Sequence, residues 1–274
     1  NIIETISKMF INEGDEVLIA KQSYRLYREV SKLMGAKVIE IPLTADYQFD
    51  LDQFEQKITD KTKLIWLCNP NNPTGTITDA SKLEAFMDKV PDNVWVIVDE
   101  AYAQFADHLS LANFIRYIGK KRVMVVRTFS KFYGLAGARL GYVLSDPEAI
   151  QAYDTVTEPF NTNRTAIAGA AAAMQFDKAE IDKTRKKILG DREGLVESLG
   201  LLGFTVAPSQ ANFVFAKLPD GALDATQVVD DLMKQGVIIR DCTPWGYPHH
   251  IRVTVGTHKE LEFFLSKLTA VLSH

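Results

Sequence analysis

Thr128-Phe129-Ser130-Lys131-Phe132-Tyr133-Gly134-Leu135-Ala136-Gly137-Ala138-Arg139 follows the apolar run Val123-Met124-Val125-Val126, which reads as a buried strand. The lysine has hydroxyls three and one residues before it and an arginine eight residues after it, on a loop broken by glycines. Two hydroxyls and a guanidinium fork suit a bound phosphate, because the fork supplies parallel charge-assisted hydrogen bonds. A lysine beside that phosphate, kept from bulk water, is a nucleophile able to form an imine. A plain strand–loop–strand connection with a surface lysine accounts for the same residues, so the neighbouring motifs must decide.

Two more polar clusters close apolar runs. Leu64-Ile65-Trp66-Leu67-Cys68 leads into Asn69-Pro70-Asn71-Asn72-Pro73-Thr74-Gly75, and Val94-Trp95-Val96-Ile97-Val98 leads into Asp99-Glu100-Ala101-Tyr102. Each falls past the carboxyl end of a strand, where ligands gather in open α/β sheets. Singly, they read as a Pro/Asn/Gly turn and an acidic loop start. In this order, the three clusters resemble the class I/II aminotransferases. These are fold-type-I enzymes of pyridoxal 5'-phosphate (PLP), whose lysine loop runs S/T-x-S-K-x-x-x-L-x-G-x-R-x-G.

The resemblance implies a role for each residue. Lys131 is the covalent attachment point of PLP, then a general base moving a proton between the substrate α-carbon and the cofactor. Asp99 pairs with the pyridine nitrogen and keeps it protonated, so that the ring withdraws electrons. Tyr102 and Asn72 donate to the cofactor's phenolic oxygen, and the Asn72–Pro73 bond is expected to be cis. Thr128, Ser130 and Arg139 hold the phosphate. Tyr24, in Gln22-Ser23-Tyr24, takes the place of an aromatic ring stacked on the pyridine, although Gln22 stands where many members have proline. A half-buried tyrosine at a helix start is the other reading of Tyr24.

Near the C-terminus, His250-Ile251-Arg252-Val253-Thr254-Val255-Gly256-Thr257 alternates like a strand. It is similar to the family's I-R-[IV]-[ST]-[IV]-G-T ending, whose arginine clamps the substrate carboxylate through its planar fork. Val237-Ile238-Ile239-Arg240-Asp241 and Pro159-Phe160-Asn161-Thr162-Asn163 resemble most the histidinol-phosphate aminotransferases. There the arginine in the place of Arg240 helps receive the phosphorylated substrate; a solvent-facing strand-end arginine explains Arg240 equally well. Asn161 and Asn163 read as well as a turn capping the next helix.

The implied reaction is histidinol phosphate plus 2-oxoglutarate giving imidazole-acetol phosphate and glutamate, a step of histidine biosynthesis. The implied partners are amino-acid and 2-oxo-acid substrates and a second copy in a homodimer. An aromatic amino-acid aminotransferase or a threonine-phosphate decarboxylase would keep the same cofactor residues. In a different class, some transcription regulators carry an aminotransferase-like ligand-sensing domain. In the resembled family a glycine-rich loop gripping the phosphate, an arm and a tyrosine reaching the neighbouring subunit precede the helix that opens here at Asn1. Those residues are not in this sequence, and weak PLP binding is expected of it.

Composition narrows the classes further. The 274 residues are 46% hydrophobic and 24% charged, enough to bury a large core and two domains. A net charge of -4 argues against nucleic acid or an anionic membrane as partner. Cys68 and Cys242 lack metal-like spacing and suit a reducing, cytoplasmic compartment. Cys68 reads as a small buried hydrophobe, Cys242 as an ordinary loop thiol, and His249-His250 as solvated rather than metal-bound.

Strands alternate with helices to about residue 176: strands at 17–20, 37–41, 64–68, 94–98, 123–126 and 140–144, with helices at 23–34, 51–57 and 79–89 between them. This predicts an α/β fold, a mostly parallel sheet with helices on both faces. The strand at 140–144 follows the lysine loop without a helix and should pair antiparallel. Helices at 147–157, 165–176 and 180–202 come next, then strands at 211–216, 237–240 and 251–255 with helices at 226–235 and 258–272. The expected domains are a large PLP-binding domain over 1–176 and a smaller α+β domain over 177–274.

Overall fold

The computed structural model describes residues 1–107, 109–176, 178–221 and 224–273. Two compact units emerge, Asn1–Asn71 with Ile77–Phe176, and Asn72–Thr76 with Asp177–His274. Asp177, where the sequence puts the domain change, lies outside the described residues. Four residues of the strand-end motif, Asn72–Gly75, go with the second unit, together with Thr76.

The first unit runs α1 (Ile2–Phe10), β1 (Glu16–Ala20), α2 (Leu26–Leu33), β2 (Lys37–Ile41), α3 (Leu51–Lys57), β3 (Thr62–Cys68), α4 (Ala80–Lys89), β4 (Trp95–Asp99), β5 (Val123–Thr128), β6 (Gly141–Leu144), α5 (Pro147–Val156) and α6 (Arg164–Met174). Its sheet has the order β2-β1-β3-β4-β5-β6. All pairs are parallel except β5 with β6. That exception follows the lysine loop, which joins β5 to β6 with no α-helix between them and returns the chain alongside β5.

Because side chains alternate along a strand, the central strands feed two cores. Leu18, Ile65, Leu67, Val96, Val98, Val123 and Val125 face one side, with Phe54 of α3 and Leu83, Phe86 and Met87 of α4. Val17, Ile19, Leu64, Trp66, Ile97 and Met124 face the other, with Ile6 of α1, Tyr27 of α2, and Ala149 and Tyr153 of α5. Each fully buried aliphatic side chain contributes roughly 1.5–3 kcal/mol. Burial on both faces is why these strands read as unbroken apolar runs.

Helix α2 begins at Leu26 rather than Ser23, leaving Tyr24 in the turn before it. Asp79 caps α4 by accepting from Lys82 N at 3.0 Å, and Asp146 caps α5 by accepting from Ala149 N at 2.9 Å. Asn163 caps α6, accepting from Ala166 N at 2.7 Å, which is the capping reading of that residue.

The second unit contains α7 (Lys178–Leu201), β7 (Thr205–Val206), β8 (Phe213–Lys217), α8 (Ala225–Lys234), β9 (Arg240–Asp241), β10 (His250–Thr254) and α9 (His258–Leu272). Its antiparallel sheet has the order β7-β8-β10-β9. Strand β9 is shorter than the expected 237–240, because Gly236 (φ 82°) turns the chain and Val237 N bonds back to Leu232 O at 3.0 Å. Strand β8 starts at Phe213 rather than 211, since Ser209 Oγ accepts from Ala211 N at 3.1 Å and holds a turn there.

Two expectations fail in this unit. Cys242 is not an ordinary loop thiol but fully buried, and loss of solvent pushes it up to about 12. His250 is half-buried rather than freely solvated. Its ring stacks on Phe215 at 4.7 Å and 17°, and burial pulls it down to about 4.

Candidate active site

Strands β3, β4 and β5 lie side by side and deliver their polar ends to the same edge of the sheet. Cys68 is paired with Asp99, and Asp99 with Val126. The ladder continues past the strand ends, with Asn69 N donating to Asp99 O at 3.0 Å and Glu100 N to Val126 O at 2.9 Å. Parallel pairing therefore brings the ends of three distant sequence segments abreast.

Asp99 is buried at the end of β4. Tyr27 Oη donates to its Oδ2 at 2.6 Å and Ala101 N donates to its Oδ1 at 3.0 Å. Burial raises its pKa; the Tyr27 and Ala101 hydrogen bonds and the charge of Lys131 oppose that rise. Lys131 Nζ stands 5.5 Å from the centre of the Tyr102 ring, whose hydroxyl-bearing side chain is itself buried. Thr128 Oγ1 donates to Leu140 O at 3.2 Å and accepts from Ser130 N at 3.0 Å, which fixes the start of the lysine loop. Arg139 adopts a left-handed backbone (φ 57°), and its Nη1 donates to Ala136 O at 2.7 Å. Tyr24 is 39% exposed and meets Tyr27 edge to face at 5.5 Å.

Behind these groups sits an ion pair that the sequence reading passed over. Arg127 Nη2 and Nε approach Glu100 Oε2 at 2.7 and 2.8 Å. It joins the residues that follow Asp99 and precede Thr128. Burial pushes the Glu100 carboxyl up, with Arg127 opposing. Gln22, the departure from proline, also has a structural role. Its Oε1 accepts from Leu43 N at 3.0 Å and its carbonyl accepts from Asn71 Nδ2 at 2.9 Å.

In the second unit, Arg252 Nη1 donates to Asn72 Oδ1 at 2.6 Å, and its guanidinium lies 5.0 Å from the Phe213 ring centre. With Oδ1 accepting, the amide nitrogen of Asn72 is left as the donor end. Asn69–Pro70 and Asn72–Pro73 are both cis. Arg240 lies directly opposite Arg252 across the β9–β10 pair, so both arginines project from one face of the sheet.

Lysine, acid, phenol and hydroxyl pair thus meet at one sheet edge, and residues 1–268 match the family described as aminotransferase class I and II. The chain belongs to this family. An aminotransferase named histidinol-phosphate aminotransferase from Anaeromyxobacter sp. is 39% identical over 272 residues, 99% of this chain and 74% of that protein. One of the same name from Moorella thermoacetica is 36% identical over 274 residues, 99% of this chain and 70% of that one. The crystal structure of histidinol-phosphate aminotransferase from Sinorhizobium meliloti, solved in complex with pyridoxal-5'-phosphate, superposes with a TM-score of 0.92. It is 29% identical, and the match covers 100% of this chain and 74% of that one.

Among residues the sequence reading did not mark, Tyr27 stands out as the one that touches Asp99. Its only local signal is the spacing Tyr24-Arg25-Leu26-Tyr27, which is equally that of a helix start. Among the described residues no helix is long and apolar enough to cross a membrane.

Proposed function

We propose that this aminotransferase moves the amino group of histidinol phosphate to 2-oxoglutarate, using pyridoxal phosphate held by the β3–β4–β5 strand ends. The residues fit that group. A buried carboxylate whose oxygens accept from Tyr27 and Ala101 is a fixed anion in a low-dielectric place, which a protonated ring nitrogen would neutralise. Asp99 would hold the ring nitrogen, Tyr102 and Asn72 the phenolic oxygen, Thr128, Ser130 and Arg139 the phosphate, with Tyr24 against the ring. When bound, the cofactor supplies the sink for the electron pair released as the substrate C–H bond breaks.

The protein's own work is to place and move protons. Lys131 Nζ would take the proton from the amine-bearing carbon of the donor, which becomes a keto carbon, and in the second half of the cycle would give one to the keto carbon of 2-oxoglutarate as it becomes glutamate. Asp99 would stay anionic beside the ring nitrogen and keep it protonated, which is what lets the ring accept the electron pair. Arg252 receives an anionic group of the substrate bidentately.

The observation that carries the substrate is the pairing of Arg240 with Arg252. Like charges directly opposite on a sheet are destabilising, so the pair makes sense as a receptor for a doubly charged anion. Histidinol phosphate offers a phosphate and 2-oxoglutarate two carboxylates, so one receptor can serve both halves of the cycle. By the same class membership, a cytoplasmic homodimer is the expected working form.

The test follows glutamate formed from 2-oxoglutarate with histidinol phosphate, phenylalanine or threonine phosphate as donor. Histidinol phosphate should have the highest kcat/KM. A preference for phenylalanine would overturn the substrate assignment.

A further inference from the structure

We propose that Tyr27 is a positioning residue for cofactor chemistry: its hydroxyl orients the Asp99 carboxylate and keeps it ionised, while its ring supports Tyr24. This rests on the assignment of Asp99 to the cofactor's ring nitrogen made above.

Tyr27 is fully buried, and its placement is determined on three sides. One face of its ring stacks on Trp66 at 4.7 Å and 8°. It meets Tyr24 edge to face at 5.5 Å and 82°. Its hydroxyl reaches Asp99 Oδ2 at 2.6 Å, near the short limit for a phenol on a carboxylate. A single buried side chain therefore touches two of the groups assigned to the cofactor.

The second carboxylate oxygen is held by Ala101 N, so the two donors fix the plane of the carboxyl group. A ring nitrogen needs one oxygen in one direction, and a carboxylate free to rotate would lose that preorganisation. The charge balance points the same way. Burial alone would favour neutral Asp99, and a neutral acid cannot keep a pyridine nitrogen protonated. Hydrogen bonds to the anionic form work against burial, and Tyr27 is the first of them.

The charged and titratable groups around Asp99 are Tyr27 from α2, Lys131 from the lysine loop, Glu100 with its partner Arg127, and Cys68 of β3 beside the Tyr27 hydroxyl. Burial, then Asp99 and Cys68, hold the Tyr27 phenol well above its usual range, so it remains a donor throughout the working pH range.

Tyr27→Phe keeps the ring and its stacking and removes only the donor. The experiment titrates PLP into wild type and variant across a series of pH values, reading the visible band of the lysine-linked cofactor. Affinity should fall on the acid side of each profile, where Asp99 takes up a proton. In Tyr27→Phe that limb should move to higher pH by roughly one to two units, the worth of a hydrogen bond to a charged group. A profile that coincides with wild type would overturn the proposal.

Replacing Tyr27 by 3-fluorotyrosine, a stronger phenol donor of nearly the same size, should move the limb to lower pH. This arm decides the matter if Tyr27→Phe proves poorly folded, and an unmoved limb there is equally fatal. Independently of activity, the carbon-13 signal of the Asp99 carboxyl should show the same upward displacement in Tyr27→Phe. A wild-type protein whose spectrum matches that of Lys131→Ala even at saturating PLP would sink the cofactor reading itself. A normal wild-type band with immobile limbs sinks only the role of Tyr27.

Discussion

Arg252 Nη1 lies 2.6 Å from Asn72 Oδ1, a hydrogen bond between residues 180 positions apart in the chain. The guanidinium proposed to receive the substrate anion is thereby held, and the amide proposed to reach the cofactor is turned so that its nitrogen donates. Asn72→Asp would place a carboxylate against that guanidinium and compete with the substrate. The KM for glutamate should rise roughly tenfold or more, the cost of about one charge-assisted hydrogen bond. Arg252→Lys should do the same by losing the planar fork. Steady-state kinetics with glutamate check both, and an unchanged KM would contradict the clamp.

Arg240 faces Arg252 across two strands, and its removal should be selective. Arg240→Ala should weaken histidinol phosphate by roughly tenfold or more while leaving phenylalanine nearly unaffected. Equal losses for every donor would mark Arg240 as structural. Comparing kcat/KM for the two donors decides.

Lys131 and Asp99 should cost activity and not the fold. Lys131→Ala should abolish the lysine-linked band. Asp99→Asn should lower kcat by roughly 10²–10³ through lost electrostatic stabilisation, since an equal-sized amide cannot hold a ring nitrogen protonated. Its thermal stability should equal or exceed wild type, because burial already disfavours the charged acid. Thermal melts beside turnover separate the two effects.

Gly75 shows where the backbone leaves no choice. Its φ is 72°, and a Cβ there would collide with Ser209 Oγ and sit 3.0 Å from Ser209 Cβ. Gln210 N also donates to Gly75 O at 2.7 Å, so the segment cannot easily back away. Gly75→Ala combines left-handed strain with overpacking and should destabilise by at least about 2 kcal/mol. Urea unfolding measures it.

His250 sets an acid limit on stability. Its pKa falls from 6.5 to about 4 on folding, burial being the main cause, followed by the charge of Lys217. A lowered histidine pKa means the unfolded chain binds the proton first. Its contribution is therefore complete above pH 6.5 and is lost progressively as pH falls towards 4, by about 1–2 kcal/mol because solvent screens the half-buried ring. His250→Phe, which can keep the stack on Phe215, should flatten the urea midpoint between pH 6.5 and 4.5. A slope equal to that of wild type would show that other groups govern this range.

Much of the fold was legible because its signals are local. The apolar runs ending at Cys68, Val98 and Val126, each followed by a polar cluster, announce strands that carry groups at their carboxyl ends. Short range also explains the antiparallel β6, which no helix separates from β5. The misread residues lie where local polarity pointed outward. Cys242-Thr243-Pro244-Trp245-Gly246-Tyr247 has the composition of an exposed turn, yet Trp245 N and Tyr247 N both bond back to Cys242 O, and the cysteine is fully buried.

By itself, then, the sequence determined the strand order of events along the chain and the chemistry available at each strand end, since periodicity and residue type act over a few positions. Only the tertiary structure decided which distant groups meet. Tyr27 is 72 residues from Asp99, Asn72 is 180 from Arg252, and Gly75 closes on Ser209. Those pairings come from sheet register and from packing that admits one side chain and excludes the next. Neither is written in the spacing of residues along a single segment.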